Sequence, residues 1–228
     1  METPLHSHPA PLREIVERYR MTFSRRGFAF SVFISLGFLF VGWWVNYFAI
    51  VFATEHASNS VTDIVLSNIP VFDVDLLFVY GTFVYAAFGI ITILAHPKRL
   101  PFAFKAVAVF WIIRSAFTIL THFAPDTQYV SDFGPAITHM FFGADLFFSA
   151  HTGMPFLGAL AFWRVKGIRA TYLVGSVYFA IIVLLGHLHY SIDVVSAFFI
   201  TYTIFHIATW LFPKEWELFN SDISAPGI

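Results

Sequence analysis

The chain has no cysteine and little charge. Without a thiol there is no disulfide, no thiolate nucleophile and no cysteine zinc site, so covalent chemistry falls to other side chains. Charged residues make up only 12% of the 228, a low share for a soluble domain. The 13 Lys and Arg nearly balance the 14 Asp and Glu, giving a formal net charge of −1. That balance points to neither nucleic acid nor an acidic partner. Low-complexity tracts are missing as well, and so is an internal repeat of the kind that marks inverted-repeat transporters.

What fills the chain is apolar: 58% hydrophobic residues, 30 of them phenylalanine, with a mean hydropathy of +0.73. A bilayer core of roughly 30 Å needs about 20 mostly apolar residues per helix. Runs of that kind predict an all-α, polytopic membrane protein with six transmembrane helices, over residues 28–54, 76–95, 102–121, 137–163, 171–187 and 190–212. Asp145, His151 and Pro155 interrupt the fourth. The first run exceeds a signal-peptide core and is read as a retained span. Three regions follow: a polar segment 1–27 with an amphipathic pattern at Leu12, Ile15, Val16 and Tyr19, a six-helix domain 28–212, and a tail 213–228 that is expected to be loose from Asn220 onward.

Cations orient the bundle, because short loops rich in Lys and Arg stay in the cytoplasm. Arg13, Arg18, Arg20, Arg25 and Arg26 precede the first span, Lys98 and Arg99 follow the second, Arg164, Lys166 and Arg169 follow the fourth, and Lys214 follows the sixth. The alternate segments carry Glu55, Asp63, Asp73, Asp75, Asp126 and Asp132 instead. Both termini are therefore expected in the cytoplasm.

On that topology Arg114, His151, His189 and Asp193 share one depth towards the extracytoplasmic or luminal side. Charged groups in a bilayer cost at least about 2.5–3.5 kcal/mol each on insertion scales, so they usually face a bundle interior or wet cavity and mark function. His189 and Asp193 are four residues apart, one helical turn. A carboxylate beside an imidazole fixes its tautomer and stabilises its cation, which prepares it for nucleophilic or acid–base work. Plainer readings compete: the pair can pin two helices as interhelical glue, and Arg114 can snorkel to the headgroups. Asp145 and Ser149 are also one turn apart and are candidates to bind a headgroup, although Ser149 can instead back-bond within its helix. His187 and His189 form a His-X-His, but residues two apart diverge on a helix, so no metal site is expected.

The pattern Asp145-Leu-Phe-Phe-Ser149-Ala-His151-Thr followed by His189-Tyr-Ser-Ile-Asp193-Val-Val resembles two motifs of the sphingomyelin synthases, within the lipid phosphate phosphatase (PAP2) superfamily. Arg114-Ser-Ala-Phe-Thr118-Ile-Leu-Thr121 resembles that family's arginine- and threonine-bearing motif, and Asp63 to Pro70 its Pro-Asp loop. The resemblance spans about residues 28–212. Ala150 stands where the family usually has glycine, Phe123-Ala124-Pro125 replaces a tighter Leu-Pro ending, and a cysteine before the Asp145 region is missing. The wider phosphatases carry an arginine six residues before the nucleophilic histidine, where this chain has Val183.

The resemblance implies transfer of phosphocholine or phosphoethanolamine from a glycerophospholipid donor to ceramide or another lipid alcohol, with no metal or other cofactor. His189, oriented by Asp193, would attack phosphorus and form a phosphohistidine-type intermediate. His151 would act as acid and then base, Arg114 would face the phosphoryl oxygens, and Asp145 and Ser149 would contact the headgroup. Water in place of the acceptor would make the protein a phospholipase C-like or phosphatase-type hydrolase. A proton-coupled transporter is the reading of another class.

Overall fold

The computed structural model describes residues 11–121, 123, 124, 126 and 146–223. These residues form helices and connecting turns with no strand: α1 (Pro11–Phe23), α2 (Phe28–Glu55), α3 (Asp75–Leu94), α4 (Leu100–Leu120), α5 (Ala150–Ala161), α6 (Lys166–Leu185), α7 (Ser191–Leu211) and α8 (Pro213–Ile223). Five helical stretches are long and apolar enough to cross a membrane: Phe28–Glu55, Asp75–Leu94, Pro97–Leu120, Lys166–Leu185 and Ser191–Leu211.

The fourth expected span, residues 137–163, is described only from residue 146: residues 146 to 149 are irregular and a helix follows from Ala150. The resulting α5 has 12 residues, about 18 Å at 1.5 Å per residue and short of a bilayer core. Ser149 starts it by accepting a hydrogen bond from Thr152 N–H at 3.4 Å, and Pro155 inside it brings no N–H for the carbonyl of His151.

Inside a bilayer, water does not drive helices together, so close backbone approach matters. Beyond Phe28 and Val32, the buried face of α2 is small or polar, with Ser35, Gly42, Asn46, Ala49 and Ala53. A Cβ on Gly42 would lie 2.9 Å from the Ala108 backbone of α4, so the two helices touch there because that side chain is absent. The outward face carries Phe30, Phe33, Phe40, Trp43 and Trp44, as a lipid-facing surface does. A Cβ on Gly153 would stand 2.7 Å from Thr201 Oγ1 and 3.0 Å from the Phe110 ring, so α5 sits pressed between α7 and α4.

One end of the bundle gathers the cationic segments. Arg18 of α1 bonds His96 Nε2 at 3.0 Å, Arg99 stacks 5.2 Å over Phe162 at the end of α5, and Phe162 meets Phe219 of α8 at 5.1 Å. The four basic places in the sequence thus meet at a single end. The chain beyond Asn220, expected to be loose, is helical to Ile223, and Phe219 and Ile223 are buried in the main core.

Three ionic contacts hold α8 there. Arg99 is 2% exposed; its Nε donates to Asp222 Oδ2 at 2.8 Å and its Nη1 to the Thr92 carbonyl at 2.6 Å. His96 Nδ1 lies 2.9 Å from Asp222 Oδ1, and Lys105 pairs with Glu215. Burial pushes the Asp222 carboxyl up, but the hydrogen bond from His96 and the charge of Arg99 outweigh that and hold it below its ordinary value. Removing one partner of a buried ion pair costs about 3–5 kcal/mol. Asp222→Ala should therefore expose α8 to protease at neutral pH while the wild type resists. The sign for pH follows from the lowered value: the contribution is complete above the unfolded carboxyl pKa of about 3.9 and disappears as pH falls through the lower folded value. Protease sensitivity of wild-type α8 should accordingly stay flat from neutral pH to about 5 and rise only in stronger acid.

Candidate active site

The opposite end of the bundle carries Arg114, Ser149, His151, His189 and Asp193. The chain enters α5 through residues 146–149, and three consecutive residues of that stretch are fastened to neighbouring helices. Thr118 Oγ1 donates to the Phe147 carbonyl at 3.1 Å, and Arg114 Nε donates to the Phe148 carbonyl at 3.0 Å. Ser149 N–H donates to the Asp193 carbonyl at 3.2 Å. The Phe148 ring, fully buried against Phe110 at 5.4 Å and Phe117 at 6.1 Å, drives the stretch inward. The backbone groups it brings along need partners in a medium that offers none, and α4 and α7 supply them.

His151 follows in the first turn of α5. Its ring lies 4.4 Å from that of Phe78 on α3 and 5.7 Å from that of Phe179 on α6, and it stands within electrostatic reach of both His189 and Arg114.

His189 and Asp193 meet, by a route other than one helical turn. Helix α7 begins at Ser191, so His189 precedes the capping residue Tyr190. Asp193, fully buried in the first turn, reaches back: its Oδ2 accepts Tyr190 N–H at 3.0 Å and lies 3.3 Å from His189 Nδ1. An acidic side chain at the third helical position commonly satisfies the capping N–H in this way, and its charge suits the positive end of the helix dipole. With Nδ1 on the carboxylate, Nε2 is the ring nitrogen left to meet a substrate.

Arg114 does not snorkel. It is 1% exposed, its Nε on Phe148 and its Nη1 3.4 Å from Asn46 Oδ1 of α2. Ser149 is the cap of α5 and its link to Asp193, rather than part of a helical face shared with Asp145, because residues 146–149 are not helical. Asp145 lies outside the described residues. His187 takes a separate carboxylate, Asp126, at 2.8 Å from Nδ1, and has a left-handed φ of 54°.

Three contributors went unassigned in the sequence reading. Asn46 holds Arg114 from α2. Tyr190 donates its hydroxyl to the Ala124 carbonyl at 2.9 Å and accepts Val61 N–H at 3.3 Å. Asp63 accepts from Ser191 at a separation of 128 residues. Burial pushes the Asp63 carboxyl up, but hydrogen bonds from the Ser191 hydroxyl and from the Leu66, Ser191 and Val65 N–H groups outweigh it and hold it below the usual carboxylate range. Asn46 interrupts an apolar run and Asp63 opens the Asp63 to Pro70 stretch noted above, which are signals for the residues themselves; their partners, 68 and 128 residues away, leave none. Beside Tyr190 lies a cavity of about 170 Å³, lined by Ser60, Thr62, Asp63, Ser67 and Asp126 among others.

Residues 143–210 match the family described as PAP2 superfamily C-terminal. The match covers less than a third of the chain, including α5, α6, nearly all of α7 and both site histidines, and is a likeness to a superfamily whose chemistry is of the lipid phosphatase and phosphotransferase type. Comparison with curated proteins and with solved structures gives no match.

Proposed function

We propose, from the superfamily match and the contact between His189 and Asp193, that this multi-pass membrane protein is a lipid phosphotransferase. It moves a phospho-alcohol headgroup, phosphocholine or phosphoethanolamine, from a glycerophospholipid to ceramide or another lipid alcohol. The observation that carries the reading is that the carboxylate group bonding His189 belongs to the residue whose carbonyl anchors the start of the His151 helix. One residue thus references both imidazoles to each other.

In the first step His189 Nε2 attacks phosphorus, the N–P bond forms, and the bond from phosphorus to the diacylglycerol oxygen breaks while His151 gives that oxygen a proton. An anionic phosphodiester between the rings favours the cationic form of His151 that this step needs. In the second step the acceptor hydroxyl loses its proton to His151, its oxygen bonds phosphorus, and the N–P bond breaks. Asp193 holds the Nδ1 proton of His189 throughout. Arg114 places positive charge beside the phosphoryl oxygens, and Asp145 and Ser149 complete the headgroup contacts. The pooled cations at the far end of the bundle support an extracytoplasmic or luminal site.

A hydrolytic reading draws on the polar cavity beside Tyr190, large enough for several waters at about 30 Å³ each. Purified protein in mixed micelles with phosphatidylcholine or phosphatidylethanolamine, with and without ceramide, decides between the two by lipid mass spectrometry. Ceramide-dependent formation of a phospho-alcohol ceramide together with diacylglycerol is expected. Diacylglycerol formed equally without ceramide supports hydrolysis, and no turnover of any phospholipid defeats both.

A further inference from the structure

We propose that Asp63, in the loop between α2 and α3, is a positioning residue for the His189–Asp193 dyad and acts through Ser191. Its catalytic meaning rests on the function proposed above; its effect on the His189 ring does not.

The first N–H groups of a helix have no partner within the helix, and a capping side chain usually takes one of them. Tyr190 occupies the capping position of α7, but its hydroxyl is spent on the Ala124 carbonyl and Val61 N–H. Two carboxylates replace it. Asp193 takes Tyr190 N–H from inside the helix at 3.0 Å. Asp63 takes Ser191 from outside: its Oδ2 accepts both the N–H and the hydroxyl, each at 2.7 Å. The other oxygen, Oδ1, accepts Val65 N–H at 2.8 Å and Leu66 N–H at 3.1 Å, so the carboxylate is locked into its own loop before it reaches α7.

The consequence falls on His189. Its ring bonds Asp193 across the short turn 189–191, which is tied to the rest of the protein by the His189 N–H on the Val183 carbonyl at 3.4 Å, by the Tyr190 hydroxyl and, through the two shortest of these bonds, by Ser191 on Asp63. Releasing Ser191 lets the turn unwind from its N-terminal side, and the direction of Nε2 goes with it. A loop-to-helix staple without this role would stabilise the fold and leave the imidazole unmoved, so the ring itself must be observed.

The test uses full-length protein in nanodiscs with 13C-labelled histidine, the His189 resonance being assigned by its loss in His189→Ala. Asp63→Ala and Ser191→Ala should shift or broaden that resonance and leave the His96 resonance in place, with Asp63→Glu closer to wild type than Asp63→Ala. On phosphatidylcholine in mixed micelles, Asp63→Ala should lower kcat about ten- to a hundredfold, as misplacement of a reacting group by about 1 Å does, with KM changed less than about twofold. A His189 resonance at its wild-type position in both variants overturns the proposal. If Asp63→Ala fails to fold, Ser191→Ala, which keeps the backbone donor, decides by the same criterion. Displaced resonances in a protein whose wild type turns over no phospholipid uphold the positioning role and sink the enzymatic reading.

Discussion

His189→Ala should lose phosphatidylcholine turnover by at least about a thousandfold, since removal of a nucleophile leaves only what binding and electrostatics contribute. It should also fail to take up label from a donor carrying 32P in the headgroup. His151→Ala should lose turnover of natural lipids to a similar degree, for a different reason: an alkoxide of diacylglycerol is a poor leaving group unless protonated as it departs. The two variants separate on p-nitrophenyl phosphocholine, whose phenolate leaves without a proton. His151→Ala should form labelled protein and release p-nitrophenol from this donor in a burst, whereas His189→Ala should do neither. A His189→Ala variant that still labels would move the covalent step to another side chain. Equal inactivity of both variants on the activated donor would remove His151 from the leaving-group role.

The second large effect belongs to Arg114, because one side chain there serves structure and chemistry together. Its guanidinium is 1% exposed and donates to the carbonyl of Phe148, three residues before His151. Arg114→Leu leaves that buried carbonyl without its donor, at about 1–3 kcal/mol, and removes the positive charge from the site. Thermal unfolding should drop by several degrees and turnover should fall below detection. Arg114→Lys is the sharper measurement. An ammonium keeps the charge but lacks the planar fork that reaches Phe148 and Asn46 together, so this variant should remain folded and lose about a hundredfold or more in kcat. Wild-type kcat in Arg114→Lys, read in the lipid assay on protein of near-normal melting temperature, would reduce Arg114 to a simple point charge.

Much of the architecture was legible without coordinates. Five of the expected spans coincide with helices of membrane-crossing length, because an apolar run in lipid has to satisfy its backbone internally and helix is the local way to do so. The grouping of basic residues into alternate loops likewise foretold that α1, the 97–99 turn and α8 share one end. In the described part of the fourth expected span, residues 146–149 depart from helix, which hydropathy does not foretell because it counts apolar residues without regard to how their backbone groups are bonded. Leu146, Phe147 and Phe148 read as helix, yet their carbonyls at 147 and 148 go to Thr118 and Arg114, and that choice is made by another helix.

The four-residue spacing of His189 and Asp193 pointed to the right pair by an imperfect argument. They touch because Asp193 caps the helix that His189 precedes, an arrangement that local pattern permits but does not impose. Arg114 was read on charge and depth, which gave its neighbourhood and not its partners.

Composition and the spacing of charge thus determined that the described residues form a helical membrane protein with its basic segments at one end and Arg114, His151, His189 and Asp193 towards the other, since both follow from the local cost of placing each residue in lipid. Tertiary structure alone decided how the site is held: Asn46 on Arg114, Thr118 on Phe147, and Asp63 on Ser191 are contacts of 68, 29 and 128 residues' separation. Their partners are chosen by which helix ends and loops are brought together when the bundle closes, and no local pattern along the chain encodes that.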